Sequence, residues 1–355
     1  MPRPGLHLNS EQRQAVEHGL PGDGKLVAPP VAVIAGAGSG KTKVLAERIA
    51  HLVANGVEPS RILAITFTRK AADQIKSRVR STLAAAPSAQ RPGTRTDLPW
   101  AGTFHSVGSK LIRIYATRLG LRPGFTTLDR GDSVGLMDIV RRDGGLAARE
   151  LEFPKATTCL DIYSRTINSQ KTLGKVLKDQ FPWCRDRKAE LRKLFAAYVD
   201  AKREQCVLDF DDLLLHWHDL LHDPALAREI GGRFDHVLVD EFQDTNTLQA
   251  SILRLMKPDG AGLFIVGDEA QSIYSFRAAE VRNILDFPAS FTPPARVIKL
   301  ERNYRSTQPI LDASNAVINL SPEGFGKVAR PGRRSLICAP GSKSGDGCVS
   351  NRELH

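Results

Sequence analysis

The chain has 355 residues, 41% of them hydrophobic, which is enough for two or three domains and a substantial core. Lys and Arg number 50 against 39 Asp and Glu; the net charge of +11 and a pI near 9.6 point to a phosphate-rich partner. Five cysteines at 159, 184, 206, 338 and 348 lack C-x-x-C or framework spacing, which favours a reducing interior over secretion; no run approaches the roughly 18 apolar residues of a membrane span, Met1-Pro2-Arg3-Pro4-Gly5 has no apolar signal core, and the cytoplasm or nucleoid is expected.

Short apolar strands are predicted at 31–35, 62–66, 100–103, 236–240, 263–266 and 297–300, separated by helical patterns such as 43–55 and 70–86. Strands alternating with helices indicate an α/β class with a parallel sheet, whose sites gather at the carboxyl ends of the strands. The first strand runs into Ala35-Gly36-Ala37-Gly38-Ser39-Gly40-Lys41-Thr42-Lys43, a glycine-rich turn that opens a helix. Such a turn aims backbone N–H groups and the positive end of a helix dipole at one point, an anion cradle for a nucleoside triphosphate. Lys41 is placed to reach the β- and γ-phosphates and Thr42 to hold Mg²⁺. Ala35 stands where the generic pattern has glycine. Residues 87–99, rich in Pro, Ser, Thr and Gly, read as a surface loop.

From about 111 to 203 strand signals vanish and helical spacing with many Lys and Arg takes over, the pattern of a helical insertion. Asp209, Asp211 and Asp212 fit helix capping and an acidic first turn, and His216, His218 and His222 fit a solvated helix face better than a zinc site. The fourth strand ends in Asp240-Glu241-Phe242-Gln243-Asp244. Asp240 suits a Mg²⁺ ligand and Glu241 a base that orients and deprotonates the attacking water. After the fifth strand, Gln271 is positioned to sense a γ-phosphate, while Tyr274, Phe276 and Arg277 suit base stacking and backbone contact, with core packing as the plainer reading of Phe276. After the sixth, Asn303-Tyr304-Arg305-Ser306-Thr307 supplies an arginine for transition-state charge and a tyrosine that can stack on adenine. The tail from about 321 is expected to be weakly ordered.

In these seven blocks, in order from Leu8 to Thr307, the chain resembles the UvrD/Rep-type helicases of superfamily 1. The resemblance implies that Gln12, within Leu8-Asn9-Ser10-Glu11-Gln12, reads adenine, and it accounts for the alanine that leads the phosphate loop. It further implies that Thr66-Phe67-Thr68-Arg69-Lys70-Ala71-Ala72 and Thr103-Phe104-His105-Ser106 contact single-stranded DNA, with Phe67 stacking on a base, Thr68 beside it and His105 touching the strand. The implied fold is a RecA-like ATPase domain, subdomain 1A, over 1–108 and 205–292, with a helical subdomain 1B at 109–204 and the start of subdomain 2A at 293–355. The implied activity is ATP- and Mg²⁺-dependent movement on single-stranded or partly duplex DNA. Because the family's later motor motifs have no counterpart here, the expectation for this polypeptide alone is nucleotide and strand binding, weak hydrolysis and no unwinding. A non-hydrolysing DNA- or partner-binding remnant is the alternative, and an unrelated small-molecule kinase or GTPase fits the motifs less well.

Overall fold

A computed structural model describes residues 8–19, 28–85, 96–122, 124–146, 153–320 and 330–331. The strands are β1 Val31–Ala35, β2 Ile62–Thr66, β3 Ala101–Thr103, β4 Thr126–Thr127, β5 Val207–Leu208, β6 His236–Val239, β7 Leu263–Gly267, β8 Arg296–Leu300, β9 Arg302–Asn303 and β10 Arg330–Pro331. Six of them form one parallel sheet in the order β3-β2-β6-β7-β1-β8. Its centre is pinned by register: Val31 lies opposite Phe264 on one side and Arg296 on the other, and Ala35 opposite Leu300. The fold is a RecA-like α/β sheet carrying an inserted helical region.

Parallel strands covered on both faces must be apolar on both faces. Val31, Val33, Ala35, Ile62, Ala64, Phe264 and Val266 pack on one side with the helices Lys41–Ala54 and Arg69–Ala84 through Val44, Leu45, Ile49, Ile75 and Val79. Ala32, Leu63, Ile65, Val237, Val239 and Ile265 face the other side, against the helices Phe104–Tyr115, Phe210–Leu220 and Thr247–Met256.

A separate core belongs to the inserted helices Arg130–Asp143, Ala156–Ser169, Leu173–Gln180 and Lys188–Glu204, where Met137, Cys159, Ile162, Leu177, Leu191 and Tyr198 are buried together. The chain enters and leaves this region beside the β4–β5 pair, Thr126 opposite Val207. The break expected at 108/109 falls inside the helix Phe104–Tyr115, whose Leu111 and Tyr115 pack in the core beneath the sheet. Strand bounds differ from the expectation by one residue at several ends. Trp100 precedes β3, and Asp240 lies just past β6, though its N–H still donates to the Ile65 carbonyl at 2.9 Å. The tail from 321, apart from Arg330–Pro331, lies outside the described residues.

The consequence for function is positional. All six strands run the same way, so the phosphate loop, Phe67, His105, Asp240, Asp268 and Asn303 all follow strand ends at one edge of the sheet.

Candidate nucleotide site and strand-contact surface

The phosphate loop is built on two left-handed glycines. Gly38 has φ +73° and Gly40, which caps the helix Lys41–Ala54, has φ +96°, conformations that L side chains adopt only with strain. A Cβ on Gly38 would lie 2.7 Å from Arg305 Cβ and 3.0 Å from the Asn303 amide. No side chain caps this helix, so its first N–H groups face the cleft. Ser39 turns inward, its hydroxyl donating to the Gly36 carbonyl at 2.7 Å, and Ala35 is buried at the end of β1. A cleft of about 870 Å³ opens over the loop, walled by Gly36, Lys41, Thr42, Glu241, Gln271 and Arg305; Ala37, Gly38, Gly40, Lys43 and Tyr304 also reach it. Arg78, from the helix Arg69–Ala84, lines the same cleft and has no motif that would have singled it out.

Lys41 and Glu241 meet across this cleft. The Lys41 ammonium lies 3.0 Å from a Glu241 carboxylate oxygen, only 9% of the lysine side chain is exposed, and the ammonium makes no hydrogen bond of donor geometry. Glu241 holds a left-handed backbone at φ +48°, which costs a non-glycine residue roughly 1–2 kcal/mol. Asp240 is not on the wall; it is buried behind Glu241, and its Oδ1 accepts the Glu241 N–H at 3.1 Å. Burial, and then the Glu241 charge, push the Asp240 carboxyl up to about 7, and the same two causes push Asp244 up to about 6. Three acids thus share one ammonium, and a hard divalent cation with oxygen ligands would relieve that excess. The largely buried Lys41 ammonium, whose contact with Glu241 lacks hydrogen-bond geometry, and the uncapped helix start fit a bound polyphosphate in the same way.

Motif reading did not single out Gln243. It is buried, donates to Glu241 Oε2 at 2.9 Å, and accepts the Asp268 N–H at 2.9 Å. Asp268 in turn accepts from the Gln271 side chain and backbone, so Glu241 and Gln271 are tied into one network. Asn303 is the second clamp. Its side chain donates to the Ala37 carbonyl at 2.6 Å and accepts the N–H groups of Arg305 and Ser306 at 2.7 and 2.8 Å. The Tyr304 N–H donates to the Gly38 carbonyl at 2.9 Å, fastening the segment to the loop. Gln12 sits beneath the loop with its amide engaged: Nε2 donates to the Ser39 carbonyl at 2.9 Å and Oε1 accepts the Asn9 N–H. Asn9 also donates to the Tyr304 hydroxyl at 2.9 Å.

A second surface gathers aromatic rings. Phe67 and Tyr274 lie 4.9 Å apart, Tyr274 and Phe276 5.7 Å apart, and Phe276 is 70% exposed, which sets aside core packing for it. Thr68 is the N-cap of the helix Arg69–Ala84, its hydroxyl accepting the Ala71 N–H at 3.1 Å. His105 packs edge-on to Phe210 at 5.5 Å, and burial drives its imidazole down to about 4, so at neutral pH it is uncharged. Phe210, an exposed ring unmarked by the sequence reading, thereby joins His105 on this side. The Arg277 side chain lies outside the described residues.

The weaker clusters resolve simply. Asp209 and Asp212 form a capping box and both pair with the buried Lys202, at 2.7 and 2.6 Å. His218, Asp219 and His222 lie close enough to share an ion, yet His218 Nε2 is engaged with the Ser251 hydroxyl at 3.0 Å. Among the described residues no helix is long and apolar enough to cross a membrane.

A parallel sheet with a glycine-rich strand-to-helix loop after β1 and paired acids just past β6, two strands along in the sheet, defines the RecA-like phosphate-loop class. Residues 8–292 match the family model described as "UvrD/REP helicase N-terminal domain". The chain is 34% identical over 319 residues to "ATP-dependent DNA helicase PcrA" of Staphylococcus aureus, covering 89% of this chain and 40% of that protein. It is 39% identical over 323 residues to "ATP-dependent DNA helicase UvrD1" of Mycobacterium bovis and of Mycobacterium tuberculosis, covering 88% of this chain and 39% of those proteins. The chain belongs to the UvrD/REP helicase N-terminal domain family, and it spans about two fifths of the length of these curated relatives.

Proposed function

We propose that this chain is the ATP- and strand-binding portion of an ATP-dependent DNA helicase or single-strand translocase. The observation that carries the reading is the 3.0 Å pairing of Lys41 with Glu241, two residues far apart in the sequence, inside the cleft over the phosphate loop. The loop N–H groups and Lys41 would hold the β- and γ-phosphates. Thr42 and Asp240 would hold Mg²⁺, which when bound offsets phosphate charge. An arriving triphosphate competes with Glu241 for the Lys41 ammonium, and the released carboxylate, kept in place by Gln243, becomes the base that orients the attacking water. Gln271 would sense the γ-phosphate through the same network, Arg305 would stabilise charge on the transferring group, and Tyr304 and Gln12 would flank the adenine.

Single-stranded or partly duplex DNA would run over Phe67, Tyr274 and Phe276 with Thr68, His105 and Arg277 alongside. We place the neck of the helical insertion, subdomain 1B, at the β4–β5 pair, and assign the segment after 292 to the start of subdomain 2A. Among the described residues Tyr304 and Arg305 are the part of the cleft wall drawn from that segment. Hydrolysis by this polypeptide alone is therefore expected to be weak, and unwinding absent. Measuring ATP turnover with and without oligothymidylate, for wild type and Lys41→Ala, tests the reading. Stimulated turnover lost in the variant supports it; turnover that ignores both DNA and the lysine refutes it.

A further inference from the structure

The strand-contact surface does not end at Phe276. Arg165, on the inserted helix Ala156–Ser169, donates to the Ser275 carbonyl at 2.6 Å, between Tyr274 and Phe276 in sequence, and also donates to the Gln180 side chain. Gln180 ends the helix Leu173–Gln180, and the next residues are Phe181 and Trp183, whose rings lie 5.7 Å apart edge-on. Trp183 is 72% exposed, whereas Trp100 and Trp217, the chain's other two tryptophans, are buried. A cavity of about 390 Å³ lies between the insertion and the sheet domain, with Arg165, Lys171, Gln180 and Ser275 on its wall together with Glu269 and Glu280; Gln180 and Ser275 are the chain neighbours of Phe181 and of Tyr274 and Phe276.

Charge identifies the occupant. Residues 171–193 hold eight Lys and Arg against three acids, Asp179, Asp186 and Glu190. Lys171, Lys175, Lys178, Arg185 and Lys188, which flank Phe181 and Trp183 in sequence, are exposed, Lys175 pairing with Asp179 at 3.3 Å. An exposed indole braced by a half-buried ring, Phe181 packing on the insertion's core, in a field of surface cations has the composition of a single-strand platform, where bases stack and phosphates meet the basic groups.

We propose that the Phe181–Trp183 pair is a second stacking platform, which takes the single-stranded nucleic acid leaving Phe276 and carries its track onto the helical insertion. This rests on the strand-binding reading given above, and the test separates the two. Dye-labelled oligothymidylates of about 6 and about 16 nucleotides, bracketing the usual single-module footprint, are titrated into the full chain, with dye anisotropy reporting binding and tryptophan emission reporting Trp183. The longer oligonucleotide is expected to quench the emission and the shorter one to bind without quenching. Trp183→Ala should weaken the longer oligonucleotide roughly fivefold or more, from the usual worth of one stacked base. It should leave affinity for the shorter one and DNA-independent ATP turnover unchanged, while Trp183→Phe, which keeps a ring, retains most of the affinity. Binding of the longer strand with unaltered emission, and equal affinity in Trp183→Ala, would overturn the platform alone. Absence of any anisotropy change at either length would overturn the strand-binding reading and the platform with it.

Discussion

Gln243→Ala perturbs the site without touching the phosphates. The side chain donates to Glu241 Oε2 at 2.9 Å and to Asp244 Oδ2 at 3.4 Å, and accepts the buried Asp268 N–H at 2.9 Å. Truncation leaves the Asp268 N–H without that acceptor in a buried setting, which costs about 1–3 kcal/mol of stability. At roughly 2–4 °C per kcal/mol for a chain of this size class, Tm should fall by several degrees. The second loss is kinetic. Glu241 is a third exposed, holds a left-handed backbone and already lies 3.0 Å from Lys41, so once the amide is gone its carboxylate is free to swing into solvent when phosphate takes that ammonium. Misplacing a reacting group by about 1 Å commonly costs about 100-fold in rate. DNA-stimulated turnover is therefore expected to fall about 10- to 100-fold, whereas the affinity for ATP, measured by titration of a fluorescent analogue, should change less than about threefold. Turnover equal to wild type in a variant whose Tm has dropped would show that Gln243 holds the fold and not the base.

Three further outcomes are expected. Gly38→Ala forces a left-handed alanine and a 2.7 Å contact with Arg305 Cβ, so denaturant unfolding should register a loss of about 1–3 kcal/mol and nucleotide affinity should drop; wild-type stability would contradict the docking of Asn303 on the loop. His236 is buried, with burial and then Arg48 holding its imidazole down to about 4. Its unfolded form takes up a proton from near pH 6.5 downward while the folded form does not, so stability present at pH 7 is lost as pH falls from about 6.5 toward 4. The loss is at most about 3 kcal/mol from this group, and His236→Leu should flatten that slope in unfolding titrations from pH 7 to 4.5; an unaltered slope would assign it elsewhere. Phe276→Ala should weaken oligothymidylate binding roughly 5- to 100-fold and leave ATP affinity intact, and equal strand affinity would remove Phe276 from the track.

The sheet was legible because its strands are apolar on both faces and each runs into a turn with its own chemistry; all six begin and end within one residue of the pattern. The phosphate loop, Lys41, Glu241, Gln271 and Arg305 were legible for the same reason, since each sits a fixed step past a strand end. Gln243 and Asn303 were not. Their work is a pair of long-range hydrogen bonds, and nothing in the spacing of an amide side chain tells which carbonyl it will meet. Thr68 shows the converse: its place in a strand-contact motif conceals that its hydroxyl is occupied in capping a helix. The insertion was legible as a region but not at its edge, because the helix Phe104–Tyr115 keeps the same spacing whether it packs on the sheet or beyond it. Lys202 could not be tied to Asp209 and Asp212 until the chain's return through β5 placed them together.

The account turns on Lys41 and the strand-end acids converging on one metal-chelated triphosphate. Equilibrium titration of ATP into wild type and Lys41→Ala, each with Mg²⁺ and with chelator, tests this most directly. Wild type should bind with an affinity that Mg²⁺ tightens, and the variant should bind at least about tenfold more weakly with little dependence on the metal, as expected when a charged partner is lost from a largely buried site. Equal affinity of the two proteins, with the same response to Mg²⁺, would contradict it.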